Sequence, residues 1–322
     1  MGKKFINYKD ISTYRSELMG WSILWIMALH FTFNQIKPLG FIAQYGFAGV
    51  DIFLFVSGFG LFYSLDKDDN LARFYRKRLL RIFPTYYIIG FITNLLLTHD
   101  DILTFLFRYS TIGFWIGREY AEWFIPSIIL LYFLTPFIKK IIDKKWFIFI
   151  CVIIVGLYVT AFYFTDKEDV LDRSHFFILY RIPAFLFGMV CAYWLKNNMS
   201  SQYFLYILII GIPFFTYFYP YHHQIYNFKY YSSGFLLPLF LTLFILLSKY
   251  TKWISPLIKK IGLASLEIYL IQGIFFSLVL DGATSAYLEW HDTLSILMII
   301  ISSVLGIATH WLIEKSGILK LL

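Results

Sequence analysis

Stretches of about 20 residues that are almost free of charge recur along this chain, and few folds accommodate such a pattern. A hydrocarbon core ~30 Å thick is crossed by a helix of about 20 apolar residues. Stretches of that kind lie at about 18–37, 43–65, 80–98, 122–142, 146–164, 176–195, 203–220, 231–249, 261–280 and 293–313. They predict an all-α polytopic membrane protein of about ten transmembrane helices. A further run, Ile102 to Trp115, is apolar but short and interrupted by Arg108, so it reads as re-entrant or interfacial, with an eleventh helix as the alternative. Composition agrees: 15% of residues are charged and 59% hydrophobic, whereas a soluble domain carries about 25% charged residues. No internal repeat, low-complexity tract or large hydrophilic block interrupts the pattern. Residues 1–322 therefore read as a single membrane domain with no appended soluble domain.

The basic residues orient the spans. If the N-terminus is cytoplasmic, the outer segments hold Lys37, Arg108, Arg118, Lys167, Arg173 and Lys229, and Arg181 lies within a span. The rest of the 28 Lys and Arg residues then fall on the inner side. This is the bias of the positive-inside rule, with both termini cytoplasmic. It accounts for the net charge of +8 through topology and lipid headgroups, with no nucleic-acid partner. The N-terminal MGKKFINYKDISTYRSEL lacks a leader's apolar core and cleavage site. Ile6 also occupies the place where a myristoylation signal has Ser or Thr. Cys151 and Cys191 lie in apolar segments without ligand spacing and read as small buried hydrophobes rather than metal or redox groups. His222 and His223 read as part of a solvated outer loop.

Within this frame two ionisable residues stand out. His30 lies about seven residues short of the outer end of the first span, and Asp51 about eight residues below the start of the second. At 1.5 Å per residue both sit about 10–12 Å beneath the outer boundary. Ionisable side chains at membrane depth are costly, by roughly 2.5–3.5 kcal/mol on insertion scales, and mark function by default. A histidine held by a carboxylate can take a proton from a hydroxyl and return it; an interhelical hydrogen bond serving packing alone is the other reading. Asn34 shares the face of His30, four residues on. Met19 falls about 20° away on the helical wheel, and Arg15, one turn deeper, about 60° away.

Longer blocks carry a resemblance. GVDIFLFVSGF at 49–59, FYRKRLLRIFPTYY at 74–87, EWFIPSIILLYFLTPFI at 122–138, LYRIPAFLFGMV at 179–190 and LASLEIYLIQ at 263–272 together resemble the acyltransferase-3 family of integral membrane acyltransferases. RSELMGWSILWIMALH looks like the family's first helix, in which an arginine usually precedes the histidine by eleven positions. Met19 stands there in this chain, and Arg15 is the nearest arginine.

The resemblance implies transfer of an acyl group, usually acetyl, from cytoplasmic acyl-CoA to a hydroxyl of an extracytoplasmic or lipid-linked glycan, in a bacterial cytoplasmic membrane. No cofactor would be permanently bound; acetyl-CoA would be the donor substrate. His30 and Asp51 would be catalytic. Arg78 and Arg81 fit the family's RxxR pattern and would hold CoA phosphates, where an arginine fork matches phosphate oxygens, with Arg15 and Glu267 assisting. Glu122, Trp123, Arg181 and Asn34 would meet the glycan. Each has a plainer reading: topology anchoring for the arginines, a helix-start carboxylate for Glu267, an interfacial belt for Trp123. Two other functions fit polar residues inside apolar helices, a flippase for a lipid-linked sugar and a catalytically silent scaffold.

Overall fold

The computed structural model describes residues 8–31, 36–116, 123–144, 153, 177–198, 228–282 and 291–317. The spans expected at 146–164 and 203–220, Cys151, and the paired His222 and His223 lie outside the described residues, residue 153 excepted. Every described element is helical: α1 (Tyr8–Thr13), α2 (Arg15–His30), α3 (Lys37–Ala43), α4 (Ala48–Lys67), α5 (Leu71–Thr93) continuing into a π turn (Asn94–Thr98), α6 (Ile102–Tyr109), α7 (Ile112–Trp115), α8 (Phe124–Asp143), α9 (Phe177–Lys196), α10 (Phe228–Tyr250), α11 (Ser255–Leu263), α12 (Ser265–Gly282) and α13 (His291–Lys315). Away from its ends a helix meets its backbone hydrogen bonds within its own segment, which is what an apolar surround demands.

Among the described residues four helical stretches are long and apolar enough to cross a membrane: Ala48–Lys67, Leu71–Thr98, Phe124–Asp143 and Asp292–Lys315. A fifth is counted if α11 and α12, which meet at a bend of 76°, form one broken span. The run at 102–115 is not one helix. Thr111, at φ 67°, parts it into α6 and α7, of eight and four residues, both far short of the ~20 a crossing needs. Instead α6 folds back on α5. Tyr109 packs its ring 4.9 Å from that of Tyr86 and fills the space above Gly90.

The chain forms two compact units, each assembled from discontinuous segments. The first comprises Met1–Arg15, Asp51–Tyr75 and Thr111–Leu247. Its centre is the contact of α4 with α9. Gly58 faces the carbonyl of Phe185 and Gly188 that of Phe55, so closely that a Cβ at either position would enter the opposing backbone. Small residues that let two backbones touch replace the hydrophobic drive that lipid removes. Around this contact Phe55, Phe59, Phe62 and Phe185 are buried. Two ion pairs set its register: Arg181 with Asp51, and Lys196 with Asp66. Both join residues 130 apart in sequence, so α4 and α9 run parallel and in step over fifteen residues, ~22 Å. Lys139 of α8 joins the second pair, 3.5 Å from Asp66 and 2.6 Å from Asp143.

The second unit comprises Ser16–Val50, Arg76–Ser110 and Ser248–Leu322. Here α2 lies on α11, with Gly20 against the carbonyl of Ile258 and Gly262 against that of Ser16. Glu17, buried in α2, accepts from Ser255 Oγ at the start of α11 (3.2 Å). The chain leaving α2 is pinned by the first turns of α13: Ser295 Oγ donates to the Phe31 carbonyl, and Asp292 Oδ2 accepts from the Ile36 backbone N–H at 2.6 Å. On α13 itself Ser302 and Ser303 are buried, and Gly306 meets Ile268 of α12. Ile300, Val304, Leu305 and Leu312 face outward. Small and polar residues inside with large apolar ones outside is the pattern of a helix whose outer solvent is lipid.

Gly188→Ala forces a methyl into the Phe55 backbone, and overpacking of this kind costs about 1–3 kcal/mol. Gly273→Ala is the control, since nothing lies within 4 Å of its added Cβ. Thermal melts of the detergent-solubilised variants should show a lowered midpoint for the first and no loss for the second.

Candidate functional site

The residues singled out from the sequence fall into three groups. In the first unit, Arg181 Nη1 donates to Asp51 Oδ2 at 2.7 Å, with the two side chains 3% and 1% exposed. An ionised carboxylate away from water is sustained by such a partner. Arg181, expected to meet a sugar, and Asp51, expected to orient His30, are thus brought together. Opposite charges in two apolar helices are the signal that pointed this way, because such residues pair with one another. Arg15 is exposed and lays its guanidinium over Gly60; a Cβ there would sit 2.8 Å from Nη2. Trp123, half-buried just ahead of α8, stands edge-on to Phe124, which in turn meets Phe53. Asn34 and Glu122 lie outside the described residues.

The second group surrounds the break between α11 and α12 in the second unit. The bend at Ala264 ends one helix and starts another, leaving terminal carbonyls that need donors. Arg81 of α5 supplies them. Its Nη1 donates to Glu267 Oε1 at 2.8 Å, and Nη2 donates to Glu267 Oε2 at 3.3 Å and to the Leu263 carbonyl at 3.2 Å. One guanidinium thus bridges both sides of the bend. Glu267, fully buried in the first turn of α12, is also within 3.4 Å of Thr85 Oγ1 and 3.3 Å of His310 Nδ1. His310 Nε2 lies 3.5 Å from Glu314 one turn on. Arg81 and Glu267, both expected near a donor, do meet. His310 was not distinguished in the sequence, although an ionisable residue inside an apolar run was its visible signal. Arg78 is half-buried one turn before Arg81. Arg73 instead pairs with Asp68 at the surface.

The third group holds His30, also in the second unit. Its ring centroid stands 5.6 Å from that of Phe276. Gln272, 1% exposed, stands one turn before Phe276 on the same face of α12. Behind them α2 presents buried Ile23, Ile26 and Met27. The imidazole therefore sits against an apolar wall with one carboxamide beside it. A neutral imidazole can accept a proton. His30 belongs to the second unit and Asp51 to the first. Among the described residues no cluster of three or more His, Cys, Asp or Glu side chains is arranged to hold a metal ion.

The Asp51–Arg181 pair makes a specific prediction. Removing one member of a buried pair strands the other and costs about 3–5 kcal/mol. Arg181→Met should fall in that range, and Asp51→Asn combined with Arg181→Met should recover much of the loss, because no lone charge remains. Unfolding in detergent with graded denaturant measures both.

With this geometry in hand, comparison with known proteins adds three findings. A family model described as an acyltransferase domain matches residues 18–314. A protein of Acidianus two-tailed virus named "Putative acetyltransferase ORF330" is 27% identical over 197 residues, covering 57% of this chain and 58% of the relative. No solved structure matches. The match over 18–314 takes in α2, the RKRLLR stretch of α5, the bent α11–α12 pair and nearly all of α13, and so contains the second and third groups entire. The chain belongs to the acyltransferase-3 family.

Proposed function

We propose that this protein is a membrane O-acyltransferase that moves an acyl group, acetyl in the first instance, from cytoplasmic acyl-CoA to a hydroxyl of an extracytoplasmic or lipid-linked glycan. The observation that carries the reading is the seat of His30, an imidazole set among Phe276, Gln272 and apolar residues of α2. A hydroxyl is a poor nucleophile until a base removes its proton, and a neutral imidazole beside it can serve as that base.

In this reading His30 either deprotonates the acceptor hydroxyl as it attacks the thioester carbonyl or takes the acyl group itself and passes it on. Asp51, whose carboxylate accepts from Arg181, is the second catalytic residue of this reading. Arg78 and Arg81 receive the CoA phosphates, and the bidentate grip of Glu267 on Arg81 supports that role by aiming the guanidinium. The topology proposed with it has ten spans and cytoplasmic termini, with the acceptor approaching from outside past Trp123 and Glu122 and the bilayer enclosing the rest. The cell membrane is the corresponding location.

Incubating purified protein with acyl-labelled acetyl-CoA, then adding acceptor glycan, tests the reading. His30→Ala should lose at least about 10²-fold in turnover. Label retained on wild-type protein and absent from His30→Ala identifies the acyl-carrier route; turnover without retained label identifies direct transfer. A fully active His30→Ala protein would sink both. Arg81→Lys keeps the charge but not the planar fork. It should raise the KM for acetyl-CoA by about tenfold while kcat changes little, as expected for loss of a charge-assisted contact made equally in ground and transition states.

A further inference from the structure

Among the polar side chains that the second unit buries, the carboxamide of Gln272 is one that its packing does not explain. Gln272 is 1% exposed, flanked on α12 by buried Leu270, Ile271 and Ile274. Neither its Nε2 nor its Oε1 makes an aligned hydrogen bond with any described group. A buried amide without partners is unfavourable, and an apolar side chain of the same shape would be the more stable occupant. A carboxamide kept at such a position points to a ligand that completes its bonds.

Its neighbours say which ligand. Ile268, Gln272 and Phe276 follow one another at four-residue spacing along one face of α12. Phe276 meets the His30 ring, and Gln272 stands one turn before it on that same face. A proton acceptor and an amide carrying two N–H donors thus stand side by side against an apolar wall.

We propose that Gln272 is a catalytic hydrogen-bond donor that holds the acyl carbonyl oxygen beside His30; this rests on the acyl-transfer reading given above. In the direct route, the imidazole nitrogen takes the proton of the acceptor hydroxyl as the hydroxyl oxygen bonds to the thioester carbon. The carbonyl π electrons move onto oxygen, where the Gln272 Nε2–H donates to the new oxyanion. Collapse re-forms the C=O bond, breaks the C–S bond and releases CoA as the thiolate, which recovers the proton from the imidazolium. In the acyl-carrier route the same donor serves the oxyanion formed when the imidazole attacks. A preorganised donor in a dry site acts where charge develops, so its effect falls on kcat rather than on donor affinity.

Gln272→Met and Gln272→Glu test the assignment in the full chain, with acetyl-CoA as donor, a soluble glucan oligosaccharide as acceptor and free CoA measured by thiol titration. Methionine removes the donors at similar volume; glutamate keeps the shape and replaces the donors with acceptors. Loss of one oxyanion donor lowers rates by about 10²–10³. Both variants should lose kcat on that scale, with the KM for acetyl-CoA within about threefold of wild type. The melting temperature of Gln272→Met should hold or rise, by about 2–4 °C, because an unsatisfied amide has left the interior. Retention of wild-type kcat by Gln272→Met overturns the proposal, and so does a fall in its melting temperature together with kcat, which would make Gln272 a packing residue. Wild-type protein that releases no CoA overturns the parent reading and this one with it, whereas an active wild type beside an equally active Gln272→Met overturns this one alone.

Discussion

Charge enclosed by apolar helices has to be answered locally, and the placement of the helices follows from how this chain answers it. Asp51 is answered by Arg181, and Glu267 by Arg81 with Thr85 and His310 close by. Both are contacts between residues far apart in sequence. In lipid, apolar area does not distinguish one helix face from another, because the acyl chains are as apolar as leucine. Ion pairs and the approach of small residues make that distinction. Along α4 and α9 the two act together, with backbones touching at Gly58 and Gly188 while ion pairs at either end hold the register.

The same logic explains the broken helix. A 76° bend inside an apolar pair of helices would be costly if its freed carbonyls went unmet. Arg81 meets the Leu263 carbonyl and grips the carboxylate just past the bend. Its partner Glu267 is fully buried, whereas the Arg81 side chain is 28% exposed. One end of this pair is fixed in the interior and the other reaches the surface, an arrangement suited to presenting a guanidinium to an anionic ligand while its orientation is held from behind.

Packing in the second unit is not everywhere self-sufficient. The glycines, Ser295 and Ser303 of α13 and the aromatic cluster under α6 close upon themselves. His30 and Gln272 do not: one is an ionisable ring and the other an amide, and both stand where hydrocarbon would pack better. Natural sequences depart from local consistency mainly at functional sites, and these two departures lie within the segment that the acyltransferase domain matches.

Much of this was legible beforehand. Helicity, membrane character and the family all follow from local signals: runs without charge, the rare ionisable residues inside them, and five blocks in order. Run length also showed that Ile102–Trp115 could not comfortably cross, and the structure divides it at Thr111. Partnership was another matter. Depth along the chain placed Asp51 level with His30, but depth says nothing about which helix stands on which side, and Asp51 is held by Arg181 of a helix 130 residues away. His310 and Gln272 escaped notice for the same reason. In sequence each is one polar residue in an apolar run, and only the packing of α12 against α2 and α13 gives one a carboxylate and the other an imidazole. Hydrophobic pattern is a property of single segments and can be read from them; an ion pair or an unmet amide is a relation between segments, and it exists only once the helices are placed.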